Sequence, residues 1–137
     1  MILWIFGNSG AGKTTLANQL KDHLKFIHLD GDDLRQVWRL GFSRQDRFEQ
    51  NLRAARLAQI FQQQGHRVVV SLICPYNELR QQVTAICQPT WLYLPGGHVA
   101  DDRYPFEAPN HPVITLQPIP GQNNISTILK TTQELVL

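Results

Sequence analysis

The chain is poor in the features that mark secreted, membrane-bound and metal-stapled proteins. Its 137 residues include only two cysteines, Cys74 and Cys87, which stand in no metal-ligand spacing, and five scattered histidines. We therefore expect two reduced, buried thiols and neither a disulfide framework nor a zinc site. The N-terminal apolar run is short and has no basic residues before it, so we expect no signal peptide, no membrane partner and a cytoplasmic location.

Charge is also scarce. Only 18% of the residues are charged, the formal net charge is +2, and no cluster of lysine and arginine occurs. This pattern gives no support for nucleic acid as a partner, whereas a mild positive excess suits small anionic ligands. The length is that of one domain, and a hydrophobic content of 42% is ordinary for a globular protein.

The most informative stretch lies near the N-terminus. Residues 7–14, GNSGAGKT, match the phosphate-binding pattern G-x-x-x-x-G-K-[ST] between an apolar strand and a helix. Backbone N–H groups of such a P-loop, together with the helix N-terminus, attract phosphate oxygens. We expect Lys13 to reach the β- and γ-phosphates of a nucleoside triphosphate and Thr14 to ligate Mg²⁺. The alternative is a tight turn without a ligand, but a bare turn does not require Lys-Thr after its last glycine.

Strand and helix patterns alternate along the chain, which predicts an α/β fold with a mostly parallel sheet of about five strands flanked by helices. Residues 67–73, RVVVSLI, have the β-branched run of a central strand covered on both faces. Ser43 is placed to cap a long helix, and Gly65 to end it. Residues 95–112, rich in proline and glycine, are predicted to be a loop. The predicted strands are 2–6, 26–29, 67–73, 91–94 and 112–116, and the predicted helices are 13–24, 32–39, 44–64, 76–87 and 121–136.

A second polar cluster, residues 30–35 with the sequence DGDDLR, follows the second predicted strand. The carboxyl end of that strand adjoins the expected phosphate site, so Asp30 and Asp32 could hold Mg²⁺ or accept a proton from an attacking hydroxyl. The alternative is a polar helix cap, since Asp is a favoured N-cap residue. Three carboxylates where one would cap, with Arg35 one turn from Asp32, favour the functional interpretation.

The next segment, residues 41–47 with the sequence GFSRQDR, offers an aromatic ring and a guanidinium. Phe42 could stack on a base, and Arg47 could pair with an anionic group of a substrate. Taken alone, each is more often structural, Phe42 as a packing residue and Arg47 as a solvated helix charge.

The combination of motifs resembles the adenylylsulfate kinase family. The resemblance rests on four segments that occur in the family's order: LDGDxxR at 29–35, GFSxxDR at 41–47, ICPYxxxR at 73–80 and YPFExP at 104–109. It implies a P-loop NTPase-like three-layer fold, with residues 1–137 forming a single P-loop kinase-like domain. It also implies an ATP-dependent phosphotransferase that uses Mg-ATP to phosphorylate the 3′-hydroxyl of adenosine 5′-phosphosulfate, a step of sulfate assimilation. Members of the family often dimerise, so a homodimer is a possible assembly.

The resemblance also implies roles for individual residues. Lys13, Asp30 and Asp32 would be catalytic, with Asp32 the better candidate for the base, and Thr14 with Asp30 would hold Mg²⁺. The residues expected to bind ATP are Gly7, Asn8, Ser9, Gly10, Ala11, Gly12, Lys13, Thr14 and Thr15. The residues expected to bind the acceptor nucleotide are Arg35, Phe42, Arg47, Gln50, Ile73, Cys74, Pro75 and Arg103.

The chain departs from the family pattern at several places. Gln50 stands where the family has an asparagine, Cys74 where it has a serine and Asn77 where it has an arginine, and the lid segment after residue 95 is missing. Arg103 is the one arginine of this stretch that could replace the lid's charge. Three alternatives follow: a short-lid kinase of adenosine 5′-phosphosulfate or a related nucleotide, a kinase of another small hydroxyl compound, and a nucleotide-binding protein without catalysis.

Overall fold

A five-stranded parallel sheet organises the chain in the computed structural model, which describes residues 1–116 together with 130, 131 and 134. The strands are β1 (Ile2–Phe6), β2 (Ile27–Asp30), β3 (Val68–Ser71), β4 (Thr90–Tyr93) and β5 (Ile114–Thr115), in the order β2-β3-β1-β4-β5. The helices are α1 (Lys13–Leu24), α2 (Gly31–Trp38), α3 (Arg44–Gln63) and α4 (Asn77–Cys87). The predicted alternation of strands and helices is confirmed.

The sheet lies between two apolar layers because its central strand is buried on both faces. Along β1, Trp4 and Phe6 point into the cluster formed with α3 and α4, whereas Leu3 and Ile5 point into the cluster formed with α1. All five residues of β1 and all four of β3 are buried. This three-layer arrangement agrees with the predicted fold class and places the carboxyl ends of β1, β2 and β3 at one edge of the sheet.

The predicted signals at both ends of α3 are confirmed. The Ser43 side chain accepts a hydrogen bond from the Asp46 amide at 3.1 Å, and Asp46 in turn accepts from the Gly41 amide at 2.8 Å. At the other end Gly65 has a φ of +90°, and the His66 amide reaches back to the Phe61 carbonyl. A left-handed glycine just past the last turn is a common way to end a helix.

Two of the predicted strands are longer than the strands in the structure. β3 ends at Ser71 rather than at residue 73, because the chain leaves the sheet there to line the edge described below. β5 is limited to Ile114–Thr115. Residues 95–112 form neither helix nor strand, as predicted. The predicted helix over 121–136 lies outside the described residues except for Lys130, Thr131 and Glu134, which are helical.

A buried arginine holds the loop before β5 against the sheet. Arg80, on α4, is fully buried and donates to the carbonyl oxygens of Cys74 and Glu107 at 2.7 Å each and to Asn77 Oδ1 at 2.7 Å. Its guanidinium also lies 4.9 Å from the centre of the Phe6 ring. Asn77 donates to the Ala108 carbonyl, so this departure from the family pattern has a structural use here.

Candidate active site

The P-loop joins β1 to α1 and depends on its glycines. Gly10 and Gly12 have φ values of +84° and +97°, which side chains with a Cβ atom rarely adopt. A Cβ atom on Gly7 would collide with the Leu94 carbonyl at the end of β4. The loop therefore needs glycine both for its turn and for its close approach to the neighbouring strand.

Lys13 occupies a partly desolvated position at the end of the loop. Its ammonium donates to the Asn8 carbonyl at 3.0 Å. Burial lowers the pKa of Lys13 from 10.5 to about 8, with partial compensation from the negative charges of Asp30 and Asp32. A cation held here without a full counter-charge is suited to an anionic ligand.

Asp30, the last residue of β2, accepts hydrogen bonds from residues of three other elements. Its Oδ1 accepts from Thr14 Oγ1 of α1 and from Ser71 Oγ of β3, both at 2.8 Å, and its Oδ2 accepts from the Asp32 amide at 3.2 Å. The last contact caps α2, so the structural alternative for Asp30 is present in the geometry. The Thr14 contact shows that the same carboxylate also reaches the P-loop helix, which a simple cap would not require.

The predicted acceptor residues Arg35, Phe42 and Arg47 form a compact cluster beside Asp32. The Arg35 guanidinium donates to Asp32 Oδ1 at 2.9 Å and lies 4.3 Å from the centre of the Phe42 ring. The Arg47 guanidinium lies 5.8 Å from the same ring and donates through Nε to the Phe42 carbonyl at 2.7 Å. Phe42 is nevertheless 62% exposed, so a large part of its ring is available for another planar group.

A single cavity of about 720 Å³ joins the P-loop to this cluster. Its volume is within the range of ligand sites in proteins. Ile73 and Arg103 also line it, as predicted, and so do Gly31, Ser71, Leu72 and Tyr104. The cavity therefore brings together predicted residues from both halves of the site: Asn8, Ser9, Gly10, Gly12, Lys13, Thr14, Thr15, Asp30, Asp32, Arg35, Phe42 and Arg47.

Five predicted site residues do not line the cavity. Gly7 and Ala11 belong to the P-loop but contribute no wall. The prediction that Cys74 and Pro75 wall the acceptor side is corrected: both are buried, and Cys74 is fully enclosed in the core on the α3 side. Burial strongly raises the pKa of the Cys74 thiol, as it raises that of Cys87 to about 12, so these are protonated core thiols.

Gln50 is likewise behind the site rather than in it. It is 1% exposed, donates to the Gly31 carbonyl at 2.7 Å and accepts from Arg35 at 3.4 Å. Gln50 therefore supports Arg35 from behind the cavity and has almost no exposed surface with which to contact an acceptor. The buried face of α3 carries small and amide residues, and it directs Gln50 at α2, where its side chain reaches the Gly31 carbonyl.

The segment after β4 packs directly on the P-loop, which sequence reasoning did not foresee. Asn8 donates through Nδ2 to the carbonyls of His98 at 2.9 Å and Tyr104 at 3.2 Å, and the His98 amide donates to the Ser9 carbonyl. Gly97 lies so close that a Cβ atom there would collide with the Ser9 carbonyl. Gly97 is the one sequence feature of this segment that the close approach requires.

A turn closed by Asp101 sets the position of Arg103 at the cavity. Asp101 Oδ1 accepts from the amides of Arg103 at 3.0 Å and Tyr104 at 2.8 Å. The rings of His98 and Tyr104 stack in parallel with centroids 3.9 Å apart. A short segment, residues 96–104, thus carries the arginine that lines the site in place of an extended lid. We call this segment the strap.

Two further polar residues next to Asp30 were also missed. His28 is two residues before Asp30 on β2, and Ser71 is the register partner of Asp30 on β3. His28 Nε2 lies 2.6 Å from Ser71 Oγ. Burial lowers the pKa of His28, with Asp30 acting in the opposite direction. No local motif marks either residue, because their meeting depends on strand register.

Comparison with known proteins agrees with this geometry. The family model of adenylylsulphate kinase matches residues 1–94. A probable adenylyl-sulfate kinase of Bacillus subtilis is 42% identical over 94 residues, which are 64% of this chain and 48% of that protein. A cytidine diphosphoramidate kinase of Campylobacter jejuni is 37% identical over 84 residues, which are 57% of this chain and 49% of that protein. The chain spans about half the length of the curated relatives it matches.

Solved structures show the same fold. The adenylylsulfate kinase of Mycobacterium tuberculosis, solved in complex with AMPPNP and APS, superimposes with a TM-score of 0.80 over 99% of this chain and 97% of that one, at 21% identity. None of the helices in the described residues is long and apolar enough to cross a membrane. The family match ends at residue 94, just before the strap that stands in place of the lid. With its P-loop, its carboxylates and its arginine–phenylalanine cluster inside the matched region, the chain belongs to the adenylylsulfate kinase family.

Proposed function

We propose that the protein is an ATP-dependent kinase that transfers the γ-phosphoryl group to a hydroxyl of a nucleotide, with the 3′-hydroxyl of adenosine 5′-phosphosulfate as the first candidate. One observation carries the proposal. The P-loop, two carboxylates and the cluster of Arg35, Phe42 and Arg47 share one cavity. A protein that only binds ATP does not need an acceptor cluster such as Arg35, Phe42 and Arg47 beside its P-loop.

The donor half of the site would bind ATP through the P-loop. The amides of the loop and the N-terminus of α1 suit the phosphates, and Lys13 adds a cation whose lowered pKa rises again when a phosphate replaces the lost solvation. Arg103, whose backbone is held by the Asp101 turn, adds a second cation to the lining of the cavity.

The residues beside the P-loop fit a magnesium ion. Thr14 Oγ1 and Asp30 Oδ1 lie 2.8 Å apart and are the hard oxygen donors that Mg²⁺ prefers. No group of three or more His, Cys, Asp or Glu side chains in the described residues forms an all-protein metal cage. That agrees with Mg²⁺, which usually takes its other ligands from phosphates and water. When bound, Mg²⁺ would neutralise charge on the transferred phosphoryl group.

Asp32 is the proposed base. Its side chain is 84% exposed, lines the cavity and is oriented by Arg35 through a contact of 2.9 Å. Asp30 is less suited to this role, because Thr14, Ser71 and the Asp32 amide already bond to its two oxygens. Asp32 would accept the proton of the acceptor hydroxyl as the oxygen attacks the γ-phosphorus.

The acceptor half favours an anionic nucleotide. Phe42 offers an exposed ring face for a base, and Arg35 and Arg47 flank it with positive charge. Arg35 and Arg47 both line the cavity, and guanidinium groups are well suited to pair with a sulfate or phosphate group of the acceptor.

A second candidate is a kinase of a different nucleotide. The match to a cytidine diphosphoramidate kinase favours it, because that relative shares the same region of the chain. The absence of a lid and the loss of Cys74 and Pro75 from the cavity wall leave an acceptor site that differs from the expected one. A non-catalytic ATP-binding protein is the third alternative and lacks a supporting observation.

The test is coupled turnover of Mg-ATP with adenosine 5′-phosphosulfate, with a cytidine diphosphate derivative and without acceptor, followed by mass spectrometry of the products. We expect release of ADP that depends on the first acceptor, with a product heavier by one phosphoryl group. Asp32→Asn should retain ATP binding and lose turnover, with Asp33→Asn, its exposed neighbour on α2, as the matched control. Full activity of Asp32→Asn would refute the base assignment, and turnover with the cytidine compound alone would select the second candidate.

The homodimer, the cytoplasmic location and the extent of a single domain over 1–137 stay predictions. Sedimentation analysis of the purified chain tests the first, and limited proteolysis tests the last.

A further inference from the structure

A chain of polar side chains, buried except for Asn18 at its outer end, runs behind Asp30 on the α1 side of the sheet. Ser71 Oγ donates to Asp30 Oδ1 at 2.8 Å, His28 Nε2 lies 2.6 Å from Ser71 Oγ, and His28 Nδ1 lies 3.0 Å from Asn18 Oδ1. The side chains of His28 and Asp30 are 6% and 11% exposed, and Ser71 is 3% exposed. The chain therefore links α1, β2 and β3 directly beneath the predicted metal ligand.

The direction of the hydrogen bonds follows from their donors. The single hydrogen of the Ser71 hydroxyl is used on Asp30 Oδ1, so Ser71 Oγ can only accept from His28. His28 Nε2 must therefore carry a hydrogen. The order of donation is His28 Nε2–H to Ser71 Oγ–H to Asp30. On the far side of the ring, Asn18 either accepts through Oδ1 from a second imidazole hydrogen or, with its amide turned over, donates through Nδ2 to Nδ1.

Packing alone does not call for these residues. The same face of the sheet is otherwise apolar, with Leu3, Val69 and the α1 residues Leu16 and Leu20 in contact. Burying a hydroxyl and an imidazole among such neighbours costs free energy unless every polar group finds a partner. Ser71 bonds directly to Asp30 and His28 bonds to Ser71, which indicates that these two residues serve the carboxylate.

We propose that His28 and Ser71 are positioning residues that hold the Asp30 carboxylate in the orientation required by the Mg-ATP complex. This inference rests on the proposed function, because it requires that the P-loop binds ATP together with Mg²⁺. Asp30 Oδ1 has two hydroxyl donors, Thr14 and Ser71. Thr14 is itself a predicted metal ligand, so the Ser71–His28 arm is the one that can stay in place when the metal binds.

The test compares ATP affinity with and without Mg²⁺ by calorimetry. In the wild-type protein Mg²⁺ should raise the affinity. Ser71→Ala should reduce that enhancement about tenfold, the effect of losing one hydrogen bond to a charged group. His28→Leu should reduce it similarly, His28→Gln, which keeps an N–H donor, should restore most of it, and metal-free ATP affinity should change less than about twofold. Because His28 acts through Ser71, the double variant should resemble Ser71→Ala.

The controls separate this proposal from the function on which it rests. His23→Leu, at an exposed histidine of α1, should leave the enhancement unchanged. A wild-type protein that binds no ATP would overturn the proposed function and this proposal together. A wild-type enhancement that survives in both Ser71→Ala and His28→Leu would overturn only the positioning role. Nitrogen-15 spectra of the wild-type imidazole add a test that needs no variant, since a His28 Nε2 without hydrogen would refute the order of donation.

Discussion

Replacing Lys13 by methionine should stabilise the ligand-free protein while it removes ATP binding. The pKa of Lys13 falls from 10.5 to about 8 because burial penalises its charge, and this difference corresponds to about 3 kcal/mol. Methionine is similar in length and neutral, so it removes the penalty but also the hydrogen bond to the Asn8 carbonyl, worth about 1 kcal/mol. The net gain at pH 7 is therefore about 2 kcal/mol, or a rise in Tm of about 7 °C.

The pH dependence provides the sharper test. Between pH 8 and 10.5 the native state binds fewer protons at Lys13 than the unfolded state, so this residue's penalty is full below pH 8 and fades as the pH rises. Urea unfolding at pH 7 and pH 9.5 should show the advantage of Lys13→Met shrinking by about 2 kcal/mol. Lys21→Met, at an exposed position of the same helix, is the control. A variant no more stable than wild type at pH 7, or an advantage independent of pH, would refute the reasoning.

Three other variants test the strap, the acceptor cluster and the buried arginine. Gly97→Ala should lower stability by about 2 kcal/mol, because its φ of +74° and the Ser9 carbonyl both oppose a Cβ atom; calorimetric unfolding measures it. Phe42→Ala should raise the acceptor KM about tenfold and leave the ATP KM unchanged, because it removes only a stacking face. Arg80→Met should cost about 3 kcal/mol, because two carbonyls and an amide lose their buried donor; urea unfolding measures it.

Each of these variants has a matched control. Gly96→Ala has a similar φ of +108° but open space around its Cβ, so a loss as large as that of Gly97→Ala would argue against close packing on the P-loop. Val37→Ala removes an exposed apolar side chain from α2, and an equal rise in acceptor KM there would argue against stacking on Phe42. Arg56→Met removes an exposed arginine, and equal costs at Arg56 and Arg80 would contradict the anchoring role.

The features that could be predicted from the sequence are those encoded locally. The P-loop is a continuous stretch, β1 and β3 are unbroken apolar runs, and Ser43 and Gly65 lie next to the helix ends that they define. The positions of Lys13, Asp30 and Arg35 follow from these elements, because the carboxyl ends of parallel strands meet at one edge.

What escaped prediction depends on contacts between distant segments. Asn8 binds the strap about ninety residues away, at His98. His28 and Ser71 meet only through the register of β2 and β3. Gln50 and Cys74 were expected at the cavity, but the rotation of α3 and the left-handed turn at Cys74, with a φ of +46°, direct them into the interior. None of these outcomes is readable from spacing alone.

We propose that one cavity carries out phosphoryl transfer from ATP to an anionic nucleotide. The most direct measurement is ADP release from Mg-ATP with and without adenosine 5′-phosphosulfate, with mass spectrometry of the product. We expect acceptor-dependent release and a product phosphorylated at the 3′-hydroxyl. Bound Mg-ATP with no turnover for adenosine 5′-phosphosulfate, cytidine diphosphate derivatives or other hydroxyl acceptors would contradict it.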